Sequence, residues 1–295
     1  MSAVLALLRG SLAAAVLALN TLLIALALLP PALLKLLLPL KPLRRRCDRL
    51  MNALASGWVA INNAWIAALQ PQAWEVQGVE GLNPRGWYLL SCNHRSWVDI
   101  LVLQRVFHRR VPFLKFFLKQ ELIWVPVIGL AWWALDFPFM KRGKGGGGDA
   151  RRNDLQRTRA ACEKFKLNPT TVMNFVEGTR FSPAKQAAQQ SPYRHLLKPK
   201  IGGLGVALAA MGEQFEALLD VSIVYPQGTP SFWQLLSGRC GAVSVHVRQL
   251  PIPAELLGRD PMRDKAYRQR LGAWVDAQWQ AKDELIEQRL GAALS

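Results

Sequence analysis

His94 and Asp99, in the stretch Asn93-His94-Arg95-Ser96-Trp97-Val98-Asp99, pair the two side-chain types that most simply take a proton from a hydroxyl group. An imidazole accepts the proton, while a carboxylate on its other nitrogen orients the ring and stabilises the imidazolium. Such a pair needs fixed geometry, and the flanking pattern supplies it. Trp87 to Leu90 is a short apolar run that predicts a buried strand, and Ile100, Leu101, Leu103 and Val106 then recur at helical spacing. His94 therefore falls in a strand-to-helix turn, where open α/β sheets hold their ligands, with Asp99 in the first turn of the helix. The same residues have a plainer reading. Ser96 with Asp99 three positions on is a capping box, and a single histidine in a turn needs no chemistry.

Two further strand ends carry polar groups. Thr170 to Phe175 predicts a β-branched strand followed by the turn Glu177-Gly178-Thr179-Arg180, and Asp136 to Met140 predicts another, ending in Lys141-Arg142. The planar fork of arginine suits bidentate contact with phosphate. If these ends meet in one crevice, it holds a base, a carboxylate and the cations Arg142 and Arg180. Residues 143–148, Gly-Lys-Gly-Gly-Gly-Gly, formally match a dinucleotide-binding GxGxxG. Their low complexity and distance from the first strand fit a linker better, and no Gly-Lys-Ser/Thr follows to make a P-loop. Cys47, Cys92, Cys162 and Cys240 form no CxxC pair and there are four histidines, so neither a metal site nor a disulfide framework is expected.

The elements that must position these residues follow from periodicity. Trp74 to Val79 alternates as a strand and places a domain boundary near residue 72, dividing the chain into 1–71 and 72–295. Val111 to Leu118 predicts a strand, Glu121 to Leu135 a very apolar helix, buried or at a membrane interface, and 150–166 an Arg-rich helix. Residues 183–200 read as a surface loop and 201–212 as a Gly/Ala-rich helix. Val221 to Tyr225 and Gly241 to Val247 read as strands, and 262–290 as an amphipathic helix covering a sheet.

Charge and apolar content bound the partner. The chain of 295 residues has a net charge of +17, yet is 51% hydrophobic with eleven Trp. An excess of that size implies an anionic partner, and the tryptophans favour a membrane over nucleic acid, for which no motif is present. Residues 11–29 are nearly all Ala, Leu and Val, about 28 Å of helix and close to a bilayer's hydrocarbon thickness. Lys41, Arg44, Arg45, Arg46 and Arg49 follow, which argues against a cleaved signal peptide and puts the rest of the chain in the cytoplasm. Pro30-Pro31 is expected to end this helix, leaving 32–40 as a shallow return segment. A single span and a re-entrant hairpin both fit. Residues 50–69 carry Leu50, Leu54, Trp58, Ile61, Trp65 and Leu69 on one helical stripe, suited to a core or an interface.

Taken together, Asn93-His94-(four residues)-Asp99, Phe139-Met140-Lys141-Arg142, Phe175-Val176-Glu177-Gly178-Thr179-Arg180 and Val224-Tyr225-Pro226 resemble, in order and spacing, the four blocks of the glycerolipid acyltransferase family. That family includes the 1-acylglycerol-3-phosphate acyltransferases. The likeness covers most of residues 70–285 and is nearest to bacterial inner-membrane members and the lysocardiolipin-type branch, with which Lys141 is shared where many members have an acidic residue. The resemblance implies an α/β fold with a mixed central sheet flanked by helices, preceded by an N-terminal membrane helix or helical hairpin. It implies His94 as general base, Asp99 as its orienting carboxylate, and Arg142, Glu177, Gly178, Thr179 and Arg180 as the acceptor's phosphate pocket. No cofactor is implied beyond acyl-CoA or acyl-ACP (acyl carrier protein) as co-substrate. The implied partners are a lysophospholipid, the acyl thioester and the bilayer, and the implied location is the bacterial inner membrane, facing the cytoplasm. Two other functions use the same residues: a membrane-tethered protein that holds anionic lipid without catalysis, and a hydrolase that passes the acyl group to water.

Overall fold

A computed structural model describes residues 3–38, 40–137, 139–140, 165, 168–258 and 264–292. The fold is α/β, with a mixed six-stranded sheet of order β1-β8-β7-β2-β6-β3. Its strands are β1 (Glu75–Gln77), β2 (Tyr88–Cys92), β3 (Leu114–Phe116), β6 (Thr171–Phe175), β7 (Ala217–Val224) and β8 (Ser244–Leu250). Every pairing is parallel except β7 with β8. β2 is buried along its whole length, as a central strand covered on both faces must be. Its alternate residues point into different cores. Leu90 and Cys92 face a layer holding the N-terminal helices and α3 (Val98–Phe107), while Leu89 faces α6 (Gly202–Met211) and α8 (Lys265–Ala292).

The N-terminus is a helical hairpin, α1 (Ala3–Leu37) and α2 (Lys41–Leu69). α1 does not stop at Pro30-Pro31 and leave a return segment, as the sequence predicts. It runs on to Leu37, and α2 begins at Lys41. The prolines remove two donors, but burial of Leu28 and Ala32 in the core holds the helix across them. The inward face of α1 is small (Ala6, Gly10, Ala13, Ala25, Ala32), while Leu7, Leu8, Leu12, Leu19, Leu22, Leu23 and Leu26 are exposed. Gly10 sits where a Cβ would meet the ring of Trp233 at 2.6 Å, on the short helix α7 (Phe232–Leu236). Asn20 donates to Asn62 Oδ1 and to the carbonyl of Trp58, and Trp58 Nε1 donates to Thr21, so polar groups zip the two helices. At the turn end, Lys35 bonds Asp48 of α2 at 3.0 Å and Asp136 at 2.6 Å.

Other expectations need correction. Val111 to Leu118 is not one strand: β3 ends at Phe116, and β4 (Leu118–Lys119) pairs only with β5 (Phe139–Met140) in a separate two-stranded sheet. The strand leading to Lys141-Arg142 is therefore not part of the main sheet. Glu121 to Leu135 is not one helix but a 3-10 turn (Gln120–Trp124) and α4 (Ile128–Ala134). Pro126 cannot donate to the ladder, and Val127 takes a positive φ of 65° at the break. Trp124 there is 84% exposed. The loop 183–200 contains a helix, α5 (Pro183–Gln189), capped by the Ser182 hydroxyl. α8 covers the sheet as expected, but its polar residues are not all solvated. Lys282 is fully buried against Asp220 of β7 at 2.9 Å, and Arg248 of β8 bonds the same carboxylate. A carboxylate buried under the helix requires such counter-charges. Of the Arg-rich segment 150–166 only Phe165 is described, and the Gly143–Gly148 run also lies outside the described residues.

Candidate active site

The site forms where β2 and its parallel neighbour β6 end together, beside parallel β7, which runs three residues further. Cys92, the last residue of β2, is level with Phe175 on β6 and Val221 on β7. Beyond Cys92 the chain must leave the sheet, and Asn93 makes the transition. Its buried side chain accepts the N–H of Ile223 at 2.8 Å and donates to the Ile223 carbonyl at 2.9 Å, so an amide replaces the backbone as the next rung to β7. His94 is then held by the β6 block. Glu177 Oε1 accepts its N–H at 2.8 Å, and the N–H of Phe181 donates to its carbonyl at 2.7 Å. Gly178, at φ 69°, provides the left-handed turn that brings this block round.

The His94 ring lies flat on Phe175, centroids 3.9 Å apart and 15° from parallel. Its Nδ1 is 2.8 Å from Asp99 Oδ2. The same oxygen accepts the backbone N–H groups of Arg95 at 2.6 Å and Ser96 at 2.9 Å, and Oδ1 accepts the Tyr225 hydroxyl at 2.6 Å. Only half of the expected capping box forms. Asp99 accepts the Ser96 N–H, but the Ser96 hydroxyl accepts from the Val98 N–H and donates to the Pro230 carbonyl, while the Asp99 N–H donates to the Ser96 carbonyl. The same carboxylate also orients the imidazole. The His94 side chain keeps 12% of its surface exposed and that of Asp99 none, so only the imidazole can meet a substrate. Among the described residues His94 Nε2 has no hydrogen-bond partner, so this nitrogen is able to accept a proton.

The structure brings His94, Asp99 and Glu177 together and places Gly178, Thr179 and Arg180 on the adjoining turn. Glu177 is buried rather than turned toward a ligand, bridging the His94 and Leu197 N–H groups. Burial pushes its carboxyl up to about 7 against the downward pull of those two N–H donors and of Arg95. Thr179 accepts from Lys185 Nζ at 2.9 Å. Arg180 is exposed, with its guanidinium 4.8 Å over the ring of Trp97. Arg142 lies outside the described residues, as does Lys141. Two cations that the sequence does not single out border this turn: the Arg95 guanidinium bonds the His195 carbonyl and stacks on Phe181, and Lys185 Nζ bonds Thr179 and the Arg180 carbonyl. The position of Arg95 inside the histidine block was the only available signal. Lys185 lay in a stretch that reads as an ordinary polar surface.

An apolar chamber of about 480 Å³ opens beside the turn that carries His94. Trp97 lines it, followed by Ile100, Leu101 and Gln104 along α3. Leu17 to Leu28 of α1, Trp58 of α2, and Ile128, Ala131 and Trp132 of α4 close it. Its size is in the range, roughly 300–1,000 Å³, of sites that hold small organic ligands.

A histidine–aspartate pair at the ends of parallel strands, beside an apolar chamber, can take a proton from a hydroxyl group held next to an apolar chain. The family assignment agrees: residues 73–246 match the family model Acyltransferase, more than half of the chain, and the chain belongs to that family. Among curated proteins it is similar to 1-acyl-sn-glycerol-3-phosphate acyltransferase 2 of Arabidopsis thaliana, 26% identical over 269 residues, covering 86% of this chain and 66% of that protein. It is also similar to 1-acyl-sn-glycerol-3-phosphate acyltransferase epsilon of Mus musculus, 24% identical over 217 residues, covering 66% of this chain and 55% of that protein. The chain thus spans just under two thirds of the plant relative and about half of the mouse one. A solved structure, the 1-acyl-sn-glycerophosphate (LPA) acyltransferase PlsC of Thermotoga maritima, aligns over 82% of both chains with 21% identity and a TM-score of 0.49.

Proposed function

We propose that this chain is a membrane-bound O-acyltransferase that moves a fatty acyl group from acyl-CoA or acyl-ACP to the free hydroxyl of 1-acyl-sn-glycerol 3-phosphate, giving phosphatidic acid. The observation that carries the reading is the 2.8 Å contact between His94 Nδ1 and a buried, fully hydrogen-bonded Asp99, with Nε2 left unpartnered at the strand ends. His94 Nε2 takes the proton of the acceptor hydroxyl as that oxygen attacks the thioester carbonyl. The tetrahedral intermediate collapses, the carbon–sulfur bond breaks, and the thiol leaves with the proton returned by the imidazolium. Asp99 holds the ring in one tautomer and stabilises its cation throughout. The acceptor's own oxygen is the nucleophile, so no enzyme-bound acyl group forms. General-base assistance of this kind accounts for about 10²–10⁴ in rate.

Arg180 and Arg142 bind the acceptor's phosphate, and the turn around Glu177, Gly178 and Thr179 sets the pocket's backbone. The acyl chain lies in the chamber between α1, α3 and α4. Support for the membrane comes from α1, which is long and apolar enough to cross one. Its small residues mostly face protein and most of its leucines, Leu28 excepted, face out, the reverse of a helix in water. Exposed Lys41, Arg45, Arg46 and Arg49 crowd the start of α2, the end where a helix dipole disfavours cations, so an anionic headgroup layer is their natural partner. In this reading the chain sits in the bacterial inner membrane with its site on the cytoplasmic side.

The test is product identity. Purified protein given acyl-CoA or acyl-ACP with 1-acyl-sn-glycerol 3-phosphate yields diacyl lipid and free thiol in equal amounts by mass spectrometry and thiol titration. Free fatty acid in place of diacyl lipid means hydrolysis instead, and lipid binding without thiol release means a binding protein.

A further inference from the structure

The buried hydroxyl of Tyr225 has no role in the chemistry above, yet it ends on the orienting carboxylate. Tyr225 follows the last residue of β7, 126 positions after Asp99, and donates to Asp99 Oδ1 at 2.6 Å. Both side chains are buried. The other oxygen, Oδ2, carries the whole of the catalytic turn: His94 Nδ1 and the N–H groups of Arg95 and Ser96. Among the described hydrogen bonds, Tyr225 alone holds Oδ1. A carboxylate pinned at one oxygen can still rotate about its last side-chain bond, whereas one pinned at both cannot.

We propose that Tyr225 is a positioning residue for this reaction, fixing the plane of Asp99 and drawing part of its charge away from the His94 side. This rests on the reading of His94 as the base. Two physical points support it. A short O–H···O contact to a charged acceptor is among the stronger hydrogen bonds a side chain makes. Burial also pushes the Tyr225 phenol well above its ordinary range, with Asp99 adding to the rise, so it stays a donor wherever the enzyme works. The other titratable or charged groups facing Asp99 are Cys92 at the end of β2, Cys240 before β8, Glu177 after β6 and Arg95 in the turn itself. The two thiols are held up by burial, Cys240 at about 11, and stay neutral. Burial pushes Glu177 up to about 7, and the substitution leaves both of its hydrogen-bond partners, the N–H groups of His94 and Leu197, in place.

The experiment is Tyr225→Phe in the full-length enzyme, which keeps the ring and removes the hydroxyl. Losing one charge-assisted bond lowers kcat about tenfold and leaves both KM values within about twofold. The acid limb of the kcat–pH profile moves up by roughly half a pH unit, because an imidazolium beside a more fully charged carboxylate gives up its proton less readily. In an Asp99→Asn background the same change has little further effect. Unchanged kcat and profile, a rise confined to KM, or a full additional loss in the Asp99→Asn background overturns the proposal. If Tyr225→Phe does not fold, 3-fluorotyrosine at position 225 keeps the shape with a stronger donor. The acid limb then moves to lower pH, and an unmoved limb overturns the proposal. His94→Ala assayed in parallel separates the two claims. Activity retained in His94→Ala defeats the base assignment itself, whereas its loss beside a wild-type-like Tyr225→Phe defeats only the role given to Tyr225.

Discussion

Asp99 accepts four hydrogen bonds and Glu177 two, and the turn that carries His94 hangs between these two buried carboxyl groups. They differ in what burial does to them. Glu177 has an ordinary value of 4.5 and is pushed up to about 7 by desolvation. Below pH 4.5 it is neutral in folded and unfolded chains alike. Between 4.5 and 7 the unfolded chain ionises first, so stability is lost as pH rises, by about 3 kcal/mol in total. Glu177→Gln cannot ionise, and it forfeits one acceptor at a cost of about 1–3 kcal/mol. The variant is therefore the less stable protein at acid pH, and the gap closes or reverses by pH 7. Denaturation curves at several pH values measure this, and a pH-independent gap contradicts it. His94, Asp99 and the 177–180 turn were legible in the sequence because each group lies within a few residues of a strand end. Asn93 as a rung to Ile223 and Tyr225 as a partner of Asp99 were not, because the contacts span 126–130 positions and depend on β7 lying beside β2.

At the scale of elements, the chamber is the joint product of α1, α2, α3 and α4, and its width depends on small residues such as Ala131 on α4. Ala131→Phe adds a ring to that space. It shifts the product's new acyl chain toward shorter lengths, because a long chain then meets steric overlap costing about 1–3 kcal/mol. Competition between donors of different chain length, read by mass spectrometry, checks this, and an unchanged product distribution argues against the chamber as the acyl site. Periodicity could not foresee these walls. The 121–135 run is apolar all round, so its break at Pro126 and Val127 leaves no signature in amphipathic spacing. Conversely, Pro30-Pro31 predicts a stop that packing overrides. β4 with β5 read as main-sheet material because strand propensity does not say which strand is the partner.

For the molecule as a whole, strand and helix alternation told the fold class, and the four blocks told the mixed sheet that the structure has. Antiparallel β8 and the buried Lys282–Asp220–Arg248 cluster were hidden, since a charged helix reads as solvated until the sheet it covers is known. The net charge of +17 acts at this scale too. Replacing exposed Arg45, Arg46 and Arg49 by Glu lowers association with phosphatidylglycerol-containing vesicles, at about 1 kcal/mol for each cation lost, and leaves association with uncharged vesicles unchanged. Flotation assays read this, and equal flotation on both vesicle types contradicts it. The account as a whole stands on one imidazole, and single-turnover acyl transfer to 1-acyl-sn-glycerol 3-phosphate tests it most directly. His94→Ala is expected to fold and bind the lysolipid like wild type while transfer slows by about 10²–10⁴; transfer at the wild-type rate in that variant would contradict the account.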